Sequence, residues 1–535
     1  MAPTNRDIQA ATDYHNASKY VERREGHVEE EFLGSPPDAD SHAYVPDMED
    51  RPFEFKVYET LEPIPLPREF PPASLPAMEA LSRTGAEPGE ALALPDLAAL
   101  ARIALLSNGL LGRSFTTRNG RVVEYRTAGG GGGLYHLELY FVCGDLPDLA
   151  AGVYHYGAHD HSLRRLRAGD YRQVLVEASG SEPAIARAPV TMVMTSTFWR
   201  NAWYYRARTY RHTFWDAGTQ LAHAFTTAAT LGLPASVVLG YADRPVNDLL
   251  GVDGAREAAV ALLALGRSDA PVPPAAVATP LNYPTHPISR REHSFSAITA
   301  MSQASQLATG GEAAAWRANP LRREPRPPQG PLTTLAPLAD EALPDAAWYD
   351  LVFKRRSVRH YDAERPLPFA SFSTVLDRST RGFAADCLAP DAPPLHDLYL
   401  IVHAVDGLAD GVYLYHREVN AVELVRAGQF SVDATRIACD QEYAGAAHVN
   451  AYYLTDLAPV LERFGNRGYR LAQLESALYG SRLQLAAHAL GLGTCGTTSF
   501  DDEVIEFFTP RAGAMSYMSY LFASVFGIKR PRAAS

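Results

Sequence analysis

A run of five glycines at residues 129–133 is the most conspicuous stretch that could do chemistry, and it leads directly into the large residues of 134–140. Because glycine has no Cβ, such a loop can adopt positive φ and bring its backbone close to a ligand. The usual ligands of such loops are a flat ring or a phosphate. Taken alone, the run is equally consistent with a flexible loop, so its interpretation depends on what the rest of the chain supplies.

The composition of the 535-residue chain is that of an ordinary globular protein with two or three domains, 47% hydrophobic and 21% charged. The net charge of −12 is spread along the chain, which argues against a nucleic-acid surface. We expect no membrane helix, because no run of about 18 apolar residues occurs, and no secretory signal, because the N-terminus is polar. A cytoplasmic protein without a disulfide framework or metal site is expected, since the four cysteines lack CxxC spacing: Cys143, Cys387, Cys439 and Cys495.

An internal repeat organises the chain around the glycine run. The segment Glu-Leu-Tyr at 138–140 recurs as Asp-Leu-Tyr at 397–399, an offset of 259 positions. Four further pairs share that offset: 152–154 and 411–413, 167–169 and 426–428, 210–211 and 469–470, 231–233 and 490–492. A repeat this long is a whole domain and not a solenoid unit. The sequence therefore predicts a duplicated domain.

The repeat and the proline-rich stretches around it predict four parts of the chain. These are an N-terminal extension (1–75), a first domain (76–270, copy one), a proline-rich connector (271–344) and a second domain (345–535, copy two). The extension is polar and poor in helical periodicity, and we expect it to wrap the surface of the domain that follows.

The hydrophobic patterns of the two copies predict the same elements in each. A helix (94–106; 369–376) precedes a strand (137–142; 398–403), and a hairpin follows at 152–156 and 162–166. Copy one continues with a strand at 188–195, a long helix at 216–231 that Gly232 terminates, and a strand at 237–239. Because strands and helices mix without strict βαβ alternation, the predicted class is α+β.

As a set, these motifs resemble the SagB/ThcOx-type dehydrogenases of the FMN-dependent nitroreductase-like superfamily. The segments that carry the resemblance are 126–127, 134–135, 138–140, 152–156, 210–211, 216–218, 231–233 and 354–359. The resemblance covers nearly the whole chain apart from its first residues and the connector. It implies two domains, each with an antiparallel central sheet surrounded by helices, and FMN bound at the interface between protomers. The duplication would make this an intramolecular pseudo-dimer.

The resemblance also divides the expected cofactor site between the copies. In such proteins an Arg-Arg-Ser-x-Arg segment binds the flavin phosphate and pyrimidine side, a glycine loop from the other protomer covers the ring, and a late turn brings backbone amides to its edge. Arginine suits this role because it donates bidentate hydrogen bonds. Copy two would provide Arg355, Arg356, Ser357, Arg359, Gly493, Cys495, Gly496 and Thr497, and copy one would provide Gly129, Gly130, Gly131 and Gly132.

Each copy has lost the half that the other keeps. Copy two has a proline-containing segment at 389–395 in place of the glycine loop, and copy one has Ser82-Arg83-Thr84 in place of the arginines. We therefore expect one composite FMN site per chain and an empty opposite site. The basic tail residues Lys529 and Arg530 either reach the phosphate, as the resemblance implies, or form a solvated terminus.

Three residues of copy one are candidates for proton transfer. The Lys-Tyr pair of the ring-oxidising relatives corresponds to Tyr204 and Tyr205, so the tyrosine is kept and the lysine is lost. Tyrosine can donate or accept a proton, although aromatic packing is the alternative role. His212 is a further candidate. The spacing of His155, His159 and His161 is interpreted as an exposed strand turn and not as a metal site.

Three functions are consistent with this sequence. The first is an FMN-dependent dehydrogenase in peptide or natural-product maturation, oxidising an azoline-type ring or a peptide backbone, with other biosynthetic enzymes as candidate partners. The missing lysine argues against the standard azoline chemistry. The second is an NAD(P)H-dependent reductase of nitro or quinone compounds. The third is a flavin-free scaffold that guides a peptide to partner enzymes.

Overall fold

The computed structural model describes residues 4–20, 44–71, 75–83, 85, 92–116, 120, 122–389, 392–509, 511–512 and 518–530. Thr84, Pro390 and Asp391, which belong to the two segments predicted to have lost their cofactor function, lie outside the described residues.

Each copy is built around a seven-stranded sheet whose neighbouring strands are all antiparallel. The order in copy one is β1-β6-β5-β4-β7-β9-β8, and copy two repeats it as β10-β13-β12-β11-β14-β16-β15. Strands β2 and β3 form a separate hairpin. The strands are β1 (Pro63–Pro65), β2 (Leu110–Thr116), β3 (Val122–Arg126), β4 (Leu137–Cys143), β5 (Gly152–Gly157), β6 (Ser162–Ala168), β7 (Val190–Thr197), β8 (Ala235–Val238), β9 (Glu257–Leu265), β10 (Leu332–Thr334), β11 (Asp397–Val402), β12 (Gly411–His416), β13 (Ala421–Ala427), β14 (Val449–Asp456), β15 (Gly493–Thr497) and β16 (Met518–Gly527).

Helices surround the two sheets, so the predicted α+β class and the duplication are confirmed. The helices are α1 (Gln9–Ala17), α2 (Ala77–Ser82), α3 (Leu97–Asn108), α4 (Arg172–Ala178), α5 (Pro183–Arg187), α6 (Phe198–Tyr205), α7 (Thr209–Thr230), α8 (Asp243–Leu250), α9 (Ser296–Ala304), α10 (Gly310–Arg317), α11 (Trp348–Lys354), α12 (Phe369–Ser379), α13 (Ser431–Ile437), α14 (Glu442–Ala446), α15 (Leu457–Phe464), α16 (Arg467–Ala489) and α17 (Asp501–Phe508). Among the described residues, no helix is long and apolar enough to cross a membrane.

The long helices α7 and α16 pack against each other at the centre of the molecule and join the two copies. Their backbones come close at Gly218, where an added Cβ would lie 2.3 Å from the carbonyl oxygen of Leu474. The Trp215 indole also donates a 2.6 Å hydrogen bond across this contact to Gln473. The copies therefore form an intramolecular pseudo-dimer.

Two buried ion-pair clusters repeat this symmetry. Arg208 and Arg211, at the start of α7, donate to Asp501 of copy two. In the same way Arg467 and Arg470, at the start of α16, donate to Asp243 of copy one, at 2.7 and 2.8 Å. Helix α7 begins seven residues before its predicted start, because these polar residues, buried by pairing across the interface, break the apolar periodicity of its first turns.

The extension and the connector contribute more structure than the sequence predicted. The extension supplies edge strand β1 and helix α1, and the connector supplies edge strand β10 and helices α9 and α10. Helix α1 lies over the ion pairs of α7, where Arg211 donates to the His15 carbonyl, while Arg470 donates to the Ser302 carbonyl of α9. The two segments thus cover equivalent ends of the long helices.

We expect the free energy of unfolding to fall as the pH drops below about 6.5, the ordinary pKa of histidine. Burial lowers the pKa of His223 and His488 to about 3 and that of His403 to about 4. The unfolded chain therefore binds these protons before the folded chain does, and stability is lost between about pH 6.5 and the folded pKa values. His223 contributes about 2 kcal/mol to the loss between pH 7 and pH 5.

Urea titrations at pH 7 and pH 5 measure this difference. His223→Asn should reduce the difference by about the 2 kcal/mol assigned to His223. An unchanged difference in this variant would contradict the assignment.

Candidate functional site

The glycine loop is ordered in the structure by a carboxylate beneath it. Residues Gly131–Gly133 form a single 3-10 turn, with φ of +60° at Gly132 and +66° at Gly133, a conformation that favours glycine. The Gly131 N–H lies 3.1 and 3.2 Å from the two carboxylate oxygens of Asp216, one of which is also 3.1 Å from His136 Nε2. A backbone hydrogen bond therefore fixes the loop.

Tyr205 and His212 lie directly against this loop. A Cβ on Gly131 would be 2.8 Å from His212 Nδ1, and a Cβ on Gly132 would be 2.9 Å from the Tyr205 hydroxyl. The Tyr205 ring is 4.1 Å from the His212 ring and 4.8 Å from the Tyr204 ring, between centroids. The three residues predicted to handle protons are thus together, and the loop approaches them only because it has no side chains.

Burial keeps both groups in contact with the loop uncharged near neutral pH. His212 is 5% exposed, and burial, with the nearby Arg208 guanidinium, holds its pKa well below the ordinary value. Neither ring nitrogen of His212 has a hydrogen-bond partner among the described residues. Burial likewise raises the pKa of Tyr205 well above the usual value. The site can therefore offer a neutral phenol and a neutral imidazole for proton transfer.

The arginine segment of copy two meets the glycine loop of copy one. Arg355 donates from Nε and Nη2 to the carbonyl oxygen of Thr127, both at 3.3 Å. A Cβ on Gly129 would lie 3.9 Å from Arg355 Nη1. Arg355 and Thr127 are 228 residues apart in the sequence. The arginine segment and the glycine loop are therefore adjacent across the pseudo-dimer interface.

The late turn and the C-terminal tail lie beside the arginine segment. Ser357 pairs with Thr494 of β15, and the Val358 N–H donates a 2.8 Å hydrogen bond to the Thr494 carbonyl. A Cβ on Gly493 would meet Lys529 Cγ at 2.7 Å. Most of the predicted cofactor residues here are exposed, namely Arg356, Ser357, Arg359, Gly496, Lys529 and Arg530, whereas Thr497 is half-buried and Cys495 is buried.

The pseudo-symmetric position in the other half of the molecule is closed by the chain itself. Val237 of β8 corresponds to Gly496 at the repeat offset. Its N–H donates to the Ala384 carbonyl at 2.9 Å, and its carbonyl accepts from the Asp386 N–H at 3.0 Å. Val237 is fully buried, whereas Gly496 is exposed.

The wall of this closed position is apolar where the composite site is polar. Tyr205, His212 and Trp215 of copy one correspond to Phe464, Leu471 and Leu474 of copy two. Arg83, in the segment that replaces the arginines, forms an ion pair with Glu79 at 3.0 Å. The two positions thus differ in access and in chemistry.

Three further residues of the site were not identified from the sequence. Asp216 and His136 hold the glycine loop, and copy two contains a similar hydrogen-bonded pair, Glu475 and His396, 3.0 Å apart. Glu475 lies at the repeat offset from Asp216, but the offset places Leu395 opposite His136, so the repeat could have revealed Asp216 alone. Arg113 of β2, which touches the arginine segment, carries no signal of this kind.

The interpretation of the three histidines as an exposed turn is wrong for two of them. His155 is fully buried and lies 3.2 Å from Glu138, while His161 is 1% exposed and contacts the Tyr156 hydroxyl at 2.9 Å. The polar alternation of the hairpin does not reveal this burial, because Glu138 and Tyr156 provide each of these rings with a buried hydrogen-bond partner. No group of three or more side chains suited to a metal occurs in the described part of the chain.

Two α+β domains packed as a pseudo-dimer, with a candidate site at the junction between them, define a tandem protein of the nitroreductase type. The chain belongs to the Nitroreductase family, whose profile matches residues 92–267 and 352–529. It is thereby an oxidoreductase in its broad class.

Individual comparisons agree with this assignment, and the first two relatives described below each carry the name "putative nitroreductase". The crystal structure of one from Anabaena variabilis is 25% identical and superimposes with a TM-score of 0.72, covering 97% of this chain and 99% of that chain. The other, from Methanocaldococcus jannaschii, is 28% identical over 161 residues, 29% of this chain and 80% of that protein. A chain of the E. coli microcin synthetase McbBCD complex is 20% identical over 40% of this chain, with a TM-score of 0.30, which is too low to support an argument.

Proposed function

We propose that this protein is an FMN-dependent oxidoreductase with one composite cofactor site per chain. The observation that carries the proposal is the junction at which Arg355 of copy two donates to Thr127, two residues before the glycine loop of copy one. The proposed site needs groups from both copies, and this junction places them side by side.

The residues at this junction fit a flat, phosphate-bearing cofactor. The glycine loop offers a backbone surface without side chains, and its positive φ values maintain that surface. Four exposed cations have no carboxylate within ion-pairing distance among the described residues, in a chain of net charge −12: Arg356, Arg359, Lys529 and Arg530. Cations without a carboxylate partner suit a phosphate and the oxygens of a flavin.

In this assignment each segment has a separate role. Arg355, Arg356, Ser357 and Arg359 would hold the phosphate and pyrimidine side, with Lys529 and Arg530 near the phosphate. Gly129, Gly130, Gly131 and Gly132 would cover the ring, and Gly493, Cys495, Gly496 and Thr497 would present backbone amides. When bound, FMN supplies hydride chemistry. Tyr204, Tyr205 and His212 would orient the substrate and hold or release its proton.

The finer proposal is a dehydrogenase that acts on a peptide or small molecule in natural-product maturation, with partner enzymes of the same route. It rests on the sequence resemblance. The names of the relatives favour the alternative, an NAD(P)H-dependent reductase. Anaerobic addition of NADPH separates the two, because rapid bleaching of the flavin band supports the reductase and an unchanged band supports the dehydrogenase. A purified protein that stays colourless after incubation with FMN would instead support the scaffold.

We expect one flavin per chain, because backbone hydrogen bonds from residues 384–386 cover the second position. The ratio of flavin absorbance to protein concentration measures this directly. Arg355→Ala should weaken FMN binding at least tenfold, since its guanidinium joins the half-sites, whereas Arg83→Ala, which removes the arginine of the corresponding segment in copy one, should leave binding unchanged. A ratio near two, or equal effects of the two variants, would contradict the single composite site.

A further inference from the structure

The hairpin β2–β3 is an element of copy one that the repeat does not contain. The corresponding segment of copy two runs from residue 380 to residue 396. Its described residues, 380–389 and 392–396, form no such hairpin. The hairpin has a register shift between Leu110 and Ser114, and Gly112 within it has φ of +65°. Such bulges re-aim side chains and occur beside functional sites. The residue that this bulge directs is Arg113.

Arg113 reaches across the interface to the backbone of copy two. Its Nη2 donates to the carbonyl of Phe353 at 2.7 Å and to the carbonyl of Arg355 at 3.2 Å. Phe353 lies in the last turn of α11, where carbonyl groups lack partners within the helix and a cation is favourable. Arg113 therefore holds the chain at the point where α11 ends and the arginine segment begins.

The contact is reciprocal, because each copy gives a side chain to the backbone of the other. Arg113 of copy one binds the backbone around Arg355, and Arg355 of copy two binds the carbonyl of Thr127. The same hairpin also lies beside the glycine loop, since a Cβ added to Gly133 would lie 3.5 Å from the Phe115 ring. One hairpin thus lies next to both half-sites.

We propose that Arg113 is a positioning residue that fixes the arginine segment of copy two relative to the glycine loop of copy one. This inference deepens the proposed function and rests on it for its effect on FMN. Arg113 binds backbone carbonyls only, and it occupies neither the Arg355 guanidinium, which donates to Thr127, nor the exposed cations that follow Arg355 in the segment. Loss of its bonds lets the segment move away from the loop without removing any cofactor ligand.

The test compares Arg113→Gln and Arg113→Lys with Glu124→Gln, an exposed residue that pairs with Ser114 in the same hairpin. FMN affinity is measured by quenching of flavin fluorescence on the full chain. R113Q should bind at least tenfold more weakly than the wild type, R113K should recover part of the loss because lysine can still donate, and E124Q should stay within twofold. If R113Q does not fold, the FMN affinity of R113K is compared with that of E124Q instead.

A second readout needs no cofactor. Trypsin cleaves after Lys354, Arg355 and Arg356, and mass spectrometry follows these cuts in flavin-free protein. Cleavage should be several-fold faster in R113Q than in E124Q. Faster cleavage in a chain whose wild type binds no FMN would support the positioning role while refuting the proposed function.

Three results would overturn the inference. One is equal cleavage rates in R113Q and E124Q with unchanged FMN affinity, another is equal cleavage rates with lost affinity, which would make Arg113 a direct ligand, and the third is faster cleavage with unchanged affinity in a chain whose wild type binds FMN.

Discussion

Replacing Gly132 by valine is expected to weaken FMN binding about a hundredfold, or by roughly 2.7 kcal/mol. Gly132 has φ of +60°, which strains any β-branched residue. A Cβ there would also lie 2.9 Å from the hydroxyl of Tyr205. Both effects push the loop off the tyrosine, so the surface that covers the flavin ring is lost. Equilibrium dialysis or fluorescence titration with FMN measures the change.

The matched control is Gly407→Val. Gly407 has a similar φ of +70° but no neighbouring atom within 4 Å of its added Cβ. It belongs to copy two, outside the segments assigned to FMN, so this variant reproduces the strain without the clash. Full flavin occupancy in G132V would show that the glycine loop is not part of the cofactor site, even though Arg355 lies beside it.

Asp501→Ala is expected to lower the free energy of unfolding by about 3–5 kcal/mol, the usual effect of removing one partner of a buried ion pair. Asp501 is 2% exposed and accepts hydrogen bonds from Arg208, Arg211 and the backbone N–H of Tyr20. The substitution leaves two buried guanidinium groups without their shared anion. Chemical denaturation at pH 7 measures the loss.

The pseudo-symmetric variant Asp243→Ala is the control that separates an effect on the proposed FMN site from a general loss of stability. It removes the partner of Arg467 and Arg470 and should destabilise the fold by a similar amount. Only D501A should also weaken FMN binding, because Arg208 lies 5.4 Å from the Trp215 ring, which stacks on His212 at 4.9 Å. A loss of less than about 1 kcal/mol in both variants would show that water replaces the missing carboxylate.

Patterns repeated along the chain predicted the α+β class and the duplication, whereas the antiparallel central sheets and the pseudo-dimer were implied by the family resemblance. The constant offset between the copies identified the duplication, and alternation and helical periodicity located most strands and helices. The glycine run and the Arg-Arg-Ser-x-Arg segment are each present in one copy, and the family resemblance turned this distribution into the hypothesis of a divided site. These features can be recognised in the sequence because they depend on residue type and on spacing within one element.

The tertiary structure alone decided which groups meet. Four findings depend on partners distant along the chain. These are the early start of α7, the burial of His155 and His161, the closure of the second position by residues 384–386, and the hydrogen bond from Arg113 to Phe353. A polar residue looks exposed in a sequence because its periodicity reports only local amphipathicity. Whether it is instead buried depends on a distant group that satisfies its hydrogen bonds or charge, and only folding brings that group beside it.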